Sequence, residues 1–485
     1  MAPKEQDQIV RDEQTAQPLD QGAMKSLLRK IDMYLLPVMA ASYMFQFLDK
    51  SALSNAAILG IRADLRLSGG DYSWASAIYY FGFLVASYPI GWIMVRMPVA
   101  KFMAVCIALW GGTLMLMALP RNAAGLLTVR FLLGVLEASL GPGLTVIVAM
   151  WYRRAEQPLR HAAWFAGNSV AGILGGIAAY GISHIRWVAP WKALFLLLGA
   201  ATFLFAGLVL YMLPDVPAKA RFLSKRERDM AVARVRDNMT GIRNNVYKWY
   251  QVREALLDTK TWLMAVVQLG TCIANGASSF TPIVINGFGF TTLNTLLLSS
   301  GEFLSQLCFM LLVAWISSRI PNSRTYFLAG CILLGVLGGL LIRQLPPAMR
   351  WGRYAGLLVR AGFPAYFPLL LAMLSGNTAG FTKKTTTNAV IFMATCIGNI
   401  IGPLLYFGSE APGYSSGFLS LIICLGISFM ASILLRLHLT RENRRRDTEQ
   451  ASGLGDVAAL DNLDDEDFNE MDLTDKEMPR FRYVY

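Results

Sequence analysis

Trp92-Ile93-Met94-Val95-Arg96-Met97-Pro98, closed by Lys101, returns later in the chain as Trp315-Ile316-Ser317-Ser318-Arg319-Ile320-Pro321, closed by Arg324. The shared pattern is W-I-x-x-R-[MI]-P-x-x-[KR]. Each copy follows an apolar run, and each of those runs is the second in a set of six. Recurrence at equivalent points predicts two parallel halves related by an axis along the membrane normal.

A membrane-crossing helix needs about 20 apolar residues. Runs of that kind lie near 33–53, 73–95, 99–119, 123–150, 160–183 and 191–213, then near 261–285, 293–317, 325–345, 354–375, 380–407 and 415–438. The expected fold is therefore an all-α polytopic membrane protein with twelve transmembrane helices in two six-helix halves. The expected organisation is a tail over 1–30, a first half over 31–213, a linker over 214–260, a second half over 261–438 and a tail over 439–485. The linker is dense in Arg, Lys, Asp and Glu and reads as one or two amphipathic helices.

Composition agrees. Hydrophobic residues make up 55% of the 485 and charged ones only 16%, against about 25% charged in soluble domains. The formal net charge is +12. That excess sits in short loops between apolar runs, which orients membrane proteins rather than binding nucleic acid. Arg96 and Lys101, Arg153, Arg154 and Arg160, the linker, Arg319 and Arg324, and Lys383 and Lys384 fall in alternate loops, which predicts cytosolic termini. Arg62, Arg66, Arg350 and Arg353 fall on the other side. Met1 to Arg29 is polar and does not read as a signal peptide, so the first apolar run is expected to be an uncleaved anchor. The sequon Asn238-Met239-Thr240 lies in the cytosolic linker and is expected to carry no glycan. The six cysteines lie inside apolar runs without metal-ligand spacing and read as small packing residues. No hydrolase, kinase, dinucleotide or metal motif stands out, so neither an enzyme nor a cofactor is expected. The tail begins basic at Arg444-Arg445-Arg446 and turns acidic over Asp461 to Asp475, which reads as a disordered, solvated segment.

The informative residues are polar ones inside apolar runs. A charge at mid-membrane costs about 2.5–3.5 kcal/mol on insertion scales, so it faces the bundle interior and has a role. Asp49 and Lys50 are adjacent and point about 100° apart on a helix: a carboxylate to take a proton and a cation to attract an anion, or two interfacial groups. Arg130 and Glu137, seven residues apart, share one helix face. They read as a structural ion pair, or as a couple in which a proton on Glu137 frees Arg130 to bind a carboxylate. Asn168 offers an amide in the fifth run, beside Gly172, Gly175 and Gly176, whose small size suits close helix approach. Glu302 and Arg360 lie in the eighth and tenth runs, and aligning the halves puts Arg360 at the depth of Glu137. Lys384, Asn388, Thr395 and Asn399 share a face of the eleventh, and a polar face in an apolar span lines a cavity or meets another helix. Lys383 and Lys384 read as loop anchors. His161 and His184, at run ends, read as interfacial.

A set of short motifs resembles one family. They are Phe47-Leu48-Asp49-Lys50-Ser51-Ala52-Leu53, Tyr72-Ser73-Trp74, Tyr79-Tyr80-Phe81-Gly82 and Arg130-Phe131-Leu132-Leu133-Gly134 with Glu137. Further along come Trp151-Tyr152 with Glu156 and Arg160, Leu213-Pro214-Asp215, Arg221-Phe222-Leu223, Asn377-Thr378-Ala379-Gly380 and Thr382-Lys383-Lys384. Gly398-Asn399-Ile400-Ile401-Gly402-Pro403 and the terminal Phe481-Arg482-Tyr483 complete the set. The chain resembles the anion:cation symporter branch of the major facilitator superfamily, most closely the fungal allantoate permease group.

The resemblance implies proton-coupled uptake of a small organic anion by alternating access, with proton roles on Asp49 and Glu137 and substrate roles on Lys50, Arg130 and Asn168. Glu302 is added as a second protonatable site, and Arg360, Asn388 and Asn399 as substrate contacts. The expected partners are that anion, protons and the lipid bilayer, with no nucleic acid, for a chain acting as a monomer in the plasma membrane or the vacuolar membrane. Three positions depart from the family pattern. Lys50 stands where many members have Arg, Glu302 where they have a small residue, and Phe381 where they have His. The antiporter signature of the fifth span is absent, since Gly172 holds its Pro position. The rival readings are an exporter of a fungal secondary metabolite and a non-transporting nutrient sensor.

Overall fold

The protein's structure, a computed structural model, describes residues 21–485 except 68–69, 95, 154–155, 186, 241–247, 321, 452–472 and 479–480. Among the described residues it is all helix and connection, with no strand. Eleven helices are long and apolar enough to cross a membrane, and one bent pair supplies a twelfth. In the first half α1 is Gln21–Ile58, α2 Asp71–Met94, α3 Val99–Leu116, α4 Ala123–Trp151, α5 Leu159–Ile182 and α6 Pro190–Met212. In the second half α7 is Thr259–Ser279 with Thr281–Gly287, α8 Thr292–Arg319, α9 Arg324–Gln344, α10 Arg350–Asn377, α11 Phe381–Leu404 and α12 Ser415–Ala451. Twelve crossings return the chain to its starting side, so both ends lie on one face, here the terminal face, opposite the far face.

Local chemistry sets the ends and breaks. Asn122 caps α4 by accepting from the Gly125 N–H at 2.9 Å, and Pro190 opens α6 with its fixed φ. The bend of 54° in α7 falls at Phe280, where Pro282 restarts the helix. Pro364, with no N–H to donate, interrupts α10 as a 3-10 turn over Phe363–Ala365. The helix of α1 runs past the expected end at residue 53 to Ile58, so Asp49 lies well inside it and is not interfacial.

The repeated motif has a structural counterpart. Arg96 stacks on the Trp92 ring at 3.8 Å and Arg319 on the Trp315 ring at 5.4 Å, each pair at the terminal end of the second helix of its half. Spacing i, i+4 puts both members on one side of the helix, and exposed tryptophans suit a membrane interface. Val95 and Pro321, within the two motifs, lie outside the described residues.

Two glycines bring α2 and α4 into backbone contact. A Cβ on Gly134 would stand 1.9 Å from the Tyr79 carbonyl oxygen, and one on Gly82 would stand 2.2 Å from that of Phe131. This crossing seats Tyr79 beside Glu137. Between the halves, hydrogen bonds cluster toward the far face. Tyr72 Oη donates to the Ser279 carbonyl at 2.7 Å, Ser73 Oγ to that of Tyr406 at 3.1 Å, and Ser300 Oγ to that of Ile173 at 2.9 Å. Phe280 stacks on Tyr406 at 4.7 Å and meets Tyr72 edge-on at 5.3 Å. The ring contacts Phe83–Phe392 at 5.8 Å and Phe165–Phe367 at 5.2 Å also join the halves.

The linker carries two helices, Lys225–Thr240 and Trp249–Leu257. The sequon side chains at 238–240 lie outside the described residues, as do residues 461–472, most of the acidic stretch from Asp461 to Asp475. The expectation of a solvated tail is corrected at both ends. Residues 439–451 continue α12, and residues 473–478 and 481–485 pack on the second half, with Asp475 fully buried. The charge of the tail points to solvent, whereas Thr474, Asp475 and Tyr483 anchor it to the second half and its linker helix.

Gly134→Ala is expected to destabilise the protein by about 1–3 kcal/mol, because the added methyl forces α4 off α2. Gly112→Ala, where a Cβ meets nothing within 4 Å, is the control and should be neutral. Apparent melting temperatures of the purified variants in one detergent test this; equal values would refute the tight crossing.

Candidate functional site

Helix rise places the ionisable residues at mid-depth. Arg130 is seven residues, or about 10 Å, into α4 from its far end, and Lys50 is eight residues, about 12 Å, from the far end of α1. The hydrocarbon core is about 30 Å thick, so both cations lie well inside it. Glu137 lies two turns beyond Arg130 on the same face.

Asp49 and Lys50 diverge as adjacent helix positions must. Asp49 turns into its own half, where Oδ2 accepts from Trp110 Nε1 at 2.6 Å and Thr202 Oγ1 at 3.0 Å. Its Oδ1 is buried without a partner. Lys50 turns the other way, with Nζ 5.0 Å from the Tyr80 ring and 5.8 Å from the Phe47 ring, and makes no ion pair among the described residues. Ring faces hold a cation by their quadrupole without neutralising it. Phe47 also meets Phe303 of the second half edge-on at 5.5 Å, so the Lys50 site borders the seam between halves.

Arg130 and Glu137 share a face as expected, yet among the described residues they form no ion pair. Glu137 is fully buried, and its Oε2 accepts from Tyr79 Oη at 2.6 Å while Oε1 has no partner. Gln46 of α1 donates to the Glu137 backbone carbonyl at 3.3 Å. Arg130 is 3% exposed, with Nε and Nη1 both unpartnered. A static Arg130–Glu137 bridge is therefore not what holds this face; Tyr79 is the partner. The buried amide oxygen of Asn168, nine residues into α5 from its terminal end, also lacks a partner.

The second half differs. Glu302 of α8 and Arg360 of α10 form a buried ion pair, and Arg360 Nη2 also donates to Thr281 Oγ1 at 3.2 Å. Arg360 is ten residues into its helix and Glu137 fourteen, so Arg360 lies about one turn nearer the far face and not level with Glu137. On α11, Asn399 accepts from Asn275 Nδ2 at 3.2 Å and donates to the Thr395 carbonyl at 2.8 Å. Thr395 Oγ1 accepts from Gln268 Nε2 at 2.9 Å, and Tyr366 Oη donates to Gln268 Oε1 at 3.2 Å. Asn388 lies on the same face nearer the terminal end and is exposed. The polar face of α11 thus meets α7 at one end and opens at the other. Lys383 is no loop anchor: it is fully buried in a charge cluster at the terminal face, whereas Lys384 is half-buried with Ser375 Oγ 3.5 Å away. Cys272, Cys106, Cys331 and Cys396 are buried as packing residues, while Cys308 is exposed.

The residues that sequence reasoning missed are Tyr79, Tyr80, Trp110, Thr202 and Gln268. Tyr79 and Tyr80 stood in a family motif without a role. The donors of Trp110 and Thr202 gave no signal, because each sits in a run whose hydropathy reads as core.

The sequence matches the family described as the Major Facilitator Superfamily over residues 39–403. An uncharacterized transporter of Schizosaccharomyces pombe is 38% identical over 461 residues, covering 95% of this chain and 87% of the relative. The allantoate permease of Saccharomyces cerevisiae is 34% identical over 475 residues, covering 95% of this chain and 86% of the relative. Among solved structures, the inward open xylose transporter from E. coli superposes with a TM-score of 0.64 at 12% identity, covering 84% of this chain and 95% of that one, which supports the fold alone.

Trp110→Phe removes one of the two donors to the buried Asp49 carboxylate and is expected to cost about 1–3 kcal/mol. In an Asp49→Leu background the same change should cost less, since no carboxylate is left unsatisfied. Equal melting shifts in both backgrounds would show that the bond contributes nothing.

Proposed function

The chain belongs to the major facilitator superfamily, and on that premise we propose that it is a proton-coupled symporter of a small organic anion working by alternating access. The observation that carries this reading is the pair Lys50 and Arg130, two cations at mid-depth with no anionic partner among the described residues. Removing an ion from water costs several kcal/mol even after relaxation. A cation kept there without a counter-ion is explained by an anion that arrives and leaves. Arg130, with two open N–H groups, suits a carboxylate, and Lys50 adds a point charge. The rings of Phe47 and Tyr80 flank the ammonium and supply apolar walls for an organic body.

Glu137 and Asp49 are the proposed proton carriers. Each is fully buried and has one carboxylate oxygen without a partner, where a proton adds without breaking an existing bond. A proton on Glu137 removes the negative charge that competes with substrate for Arg130 and Lys50. Anion binding then follows protonation, and release of both resets the site. In this scheme Asn168 and Asn388 line the path, and Asn399 orders the second-half wall through Asn275. Glu302 and Arg360 neutralise each other, so any proton on Glu302 must first compete with that pair. This gives the couple a place in positioning α8 against α10.

The basic loops support cytosolic termini, and the plasma membrane is the proposed site. The far face is then external, and its hydrogen-bonded seal makes this state one closed to the outside. A monomer contains every residue the scheme uses.

Two substitutions test it in cells expressing the chain, with allantoate and other carboxylates as probes. Glu137→Gln should abolish proton-driven accumulation yet leave exchange of preloaded solute. Lys50→Gln should raise KM at least about tenfold, equivalent to about 1.4 kcal/mol of lost anion binding. Unchanged uphill accumulation in Glu137→Gln would sink the coupling role, and unchanged KM in Lys50→Gln the anion site.

A further inference from the structure

The last residues of the chain occupy a built groove on the terminal face. Its walls are the end of α10, the start of α11, the extension of α12 and the linker helix Trp249–Leu257. The Asn377 side chain pairs with the Val484 backbone in both directions, donating at 2.8 Å and accepting at 2.7 Å. Asn443 does the same for Tyr483, at 2.8 Å and 2.9 Å. Arg446 donates to the carbonyls of Asp475 at 3.0 Å and Phe481 at 3.1 Å, and to Tyr483 Oη at 2.9 Å.

At the base of the groove lies a buried charge cluster. Lys383 Nζ contacts Asp475 Oδ1 at 2.8 Å, Glu254 Oε1 at 2.7 Å and Asp258 Oδ2 at 3.0 Å. Lys260 pairs with the other oxygen of Asp475 and lies 3.3 Å from Asp258 Oδ2. Tyr483 Oη donates to Asp475 Oδ2 at 2.7 Å. Burial alone would raise the Asp475 pKa, but Lys260 and Lys383 outweigh it and hold the carboxyl down at about 2, so it stays charged throughout the physiological range. Removing one member of such a cluster strands the others in a dry site.

These contacts converge on the loop between α10 and α11. The Ala379 N–H donates to Asp475 Oδ1 at 3.3 Å. Gln251 Oε1 caps α11, accepting from the N–H groups of Thr382 at 3.1 Å and Lys383 at 3.2 Å. Gly380, at φ +85°, turns the chain against that cap, where a Cβ would stand 3.0 Å from Gln251 Oε1. The loop's register is thus set by the tail on one flank and by the linker helix on the other.

We propose that residues 473–478 and 481–485 are a built-in peptide ligand of the second half, and that their docking positions the α10–α11 loop so that the terminal face can close. The proposal rests on the alternating-access reading but not on the substrate class. When the terminal face closes, the far-face seal opens, so a loop out of register holds the protein in its present state.

The test uses the full chain with a protease site placed within 452–472. After cutting, the fragment carrying 473–485 should stay with the body through size exclusion, and Asp475→Asn should lower the retained fraction at least tenfold. Far-face opening is read without any solute, from the labelling rate of Ser279→Cys by a membrane-impermeant maleimide, over a background lacking that cysteine. Asp475→Asn should slow this labelling at least fivefold at equal protein amount. An unchanged rate, or loss of the parent fragment on first dilution, would overturn the proposal. If Asp475→Asn does not accumulate in the membrane, Asn377→Ala replaces it under the same criteria. Failure of both to accumulate would make the segment a folding element and also overturn the positioning role. Because labelling needs no anion, a failed uptake screen would leave this result standing.

Discussion

Inside a bilayer an ionisable side chain has no water to turn to, and the structure is organised by how each such group is partnered. Three solutions occur in one chain. Glu302 and Arg360 neutralise each other. Asp49 and Glu137 are held by neutral donors, Trp110 with Thr202 in one case and Tyr79 in the other. Among the described residues Lys50 and Arg130 have neither, and the rings of Phe47 and Tyr80 border Lys50. The first solution locks helices together. The second keeps a carboxylate in place while leaving one oxygen for a proton. In the proposed scheme the third leaves binding energy available to an incoming anion. The functional asymmetry between the halves follows: the paired charges stand in the second half and the open ones in the first.

For the proposed coupling, neutral donors matter. An Arg130–Glu137 bridge would have to break in every cycle, at the cost of exposing two charges to a dry interior. Tyr79 avoids that cost, since a phenol hydroxyl can donate to a carboxylate or accept from a carboxylic acid by rotating its hydrogen. The α2–α4 crossing is what places it there. Gly82 and Gly134 are thus tied to the site through the backbone, although neither contributes a polar atom.

Much of the fold was legible because hydropathy and helix length are local properties. Twelve apolar runs and a motif repeated at equivalent points were enough for two six-helix halves, and the Arg-on-Trp stacks at Arg96 and Arg319 give that repeat a physical basis. The 54° bend in α7 and the interruption of α10 at Pro364 were within reach of the Pro positions but were not read. The site was legible in part. Charged residues in apolar runs are conspicuous, so Asp49, Lys50, Arg130 and Glu137 stood out. Their partners did not, because a tyrosine, tryptophan or threonine in an apolar run is unremarkable until packing aims its donor. The pairing of Glu302 with Arg360 spans two helices, and no periodicity within either one reports it. The tail was misread for a related reason: its charge suggested solvation, whereas Asp475 meets two lysines from distant helices.

The linker divides its attachments in a way that bears on motion. Its first helix is tied to the first half, through Glu227 to Lys30 at 2.9 Å and through Arg234 to Glu156. Asp32 and Arg160, at 2.8 Å, tie α1 to the start of α5 beside them. Its second helix is tied to the second half, where Gln251 caps α11 and Glu254 holds Lys383 at 2.7 Å. Each half therefore carries its own linker helix as part of its terminal face. In the proposed scheme, rocking of the halves would leave these contacts intact, since each lies within one half. The far-face seal is built differently, from hydrogen bonds to backbone carbonyls and an edge-on ring contact between Tyr72 and Phe280. Such contacts are individually modest, about 0.5–1.5 kcal/mol for a neutral hydrogen bond. A seal of that strength suits a joint that must open, while buried ion pairs inside each half suit bodies that must stay rigid.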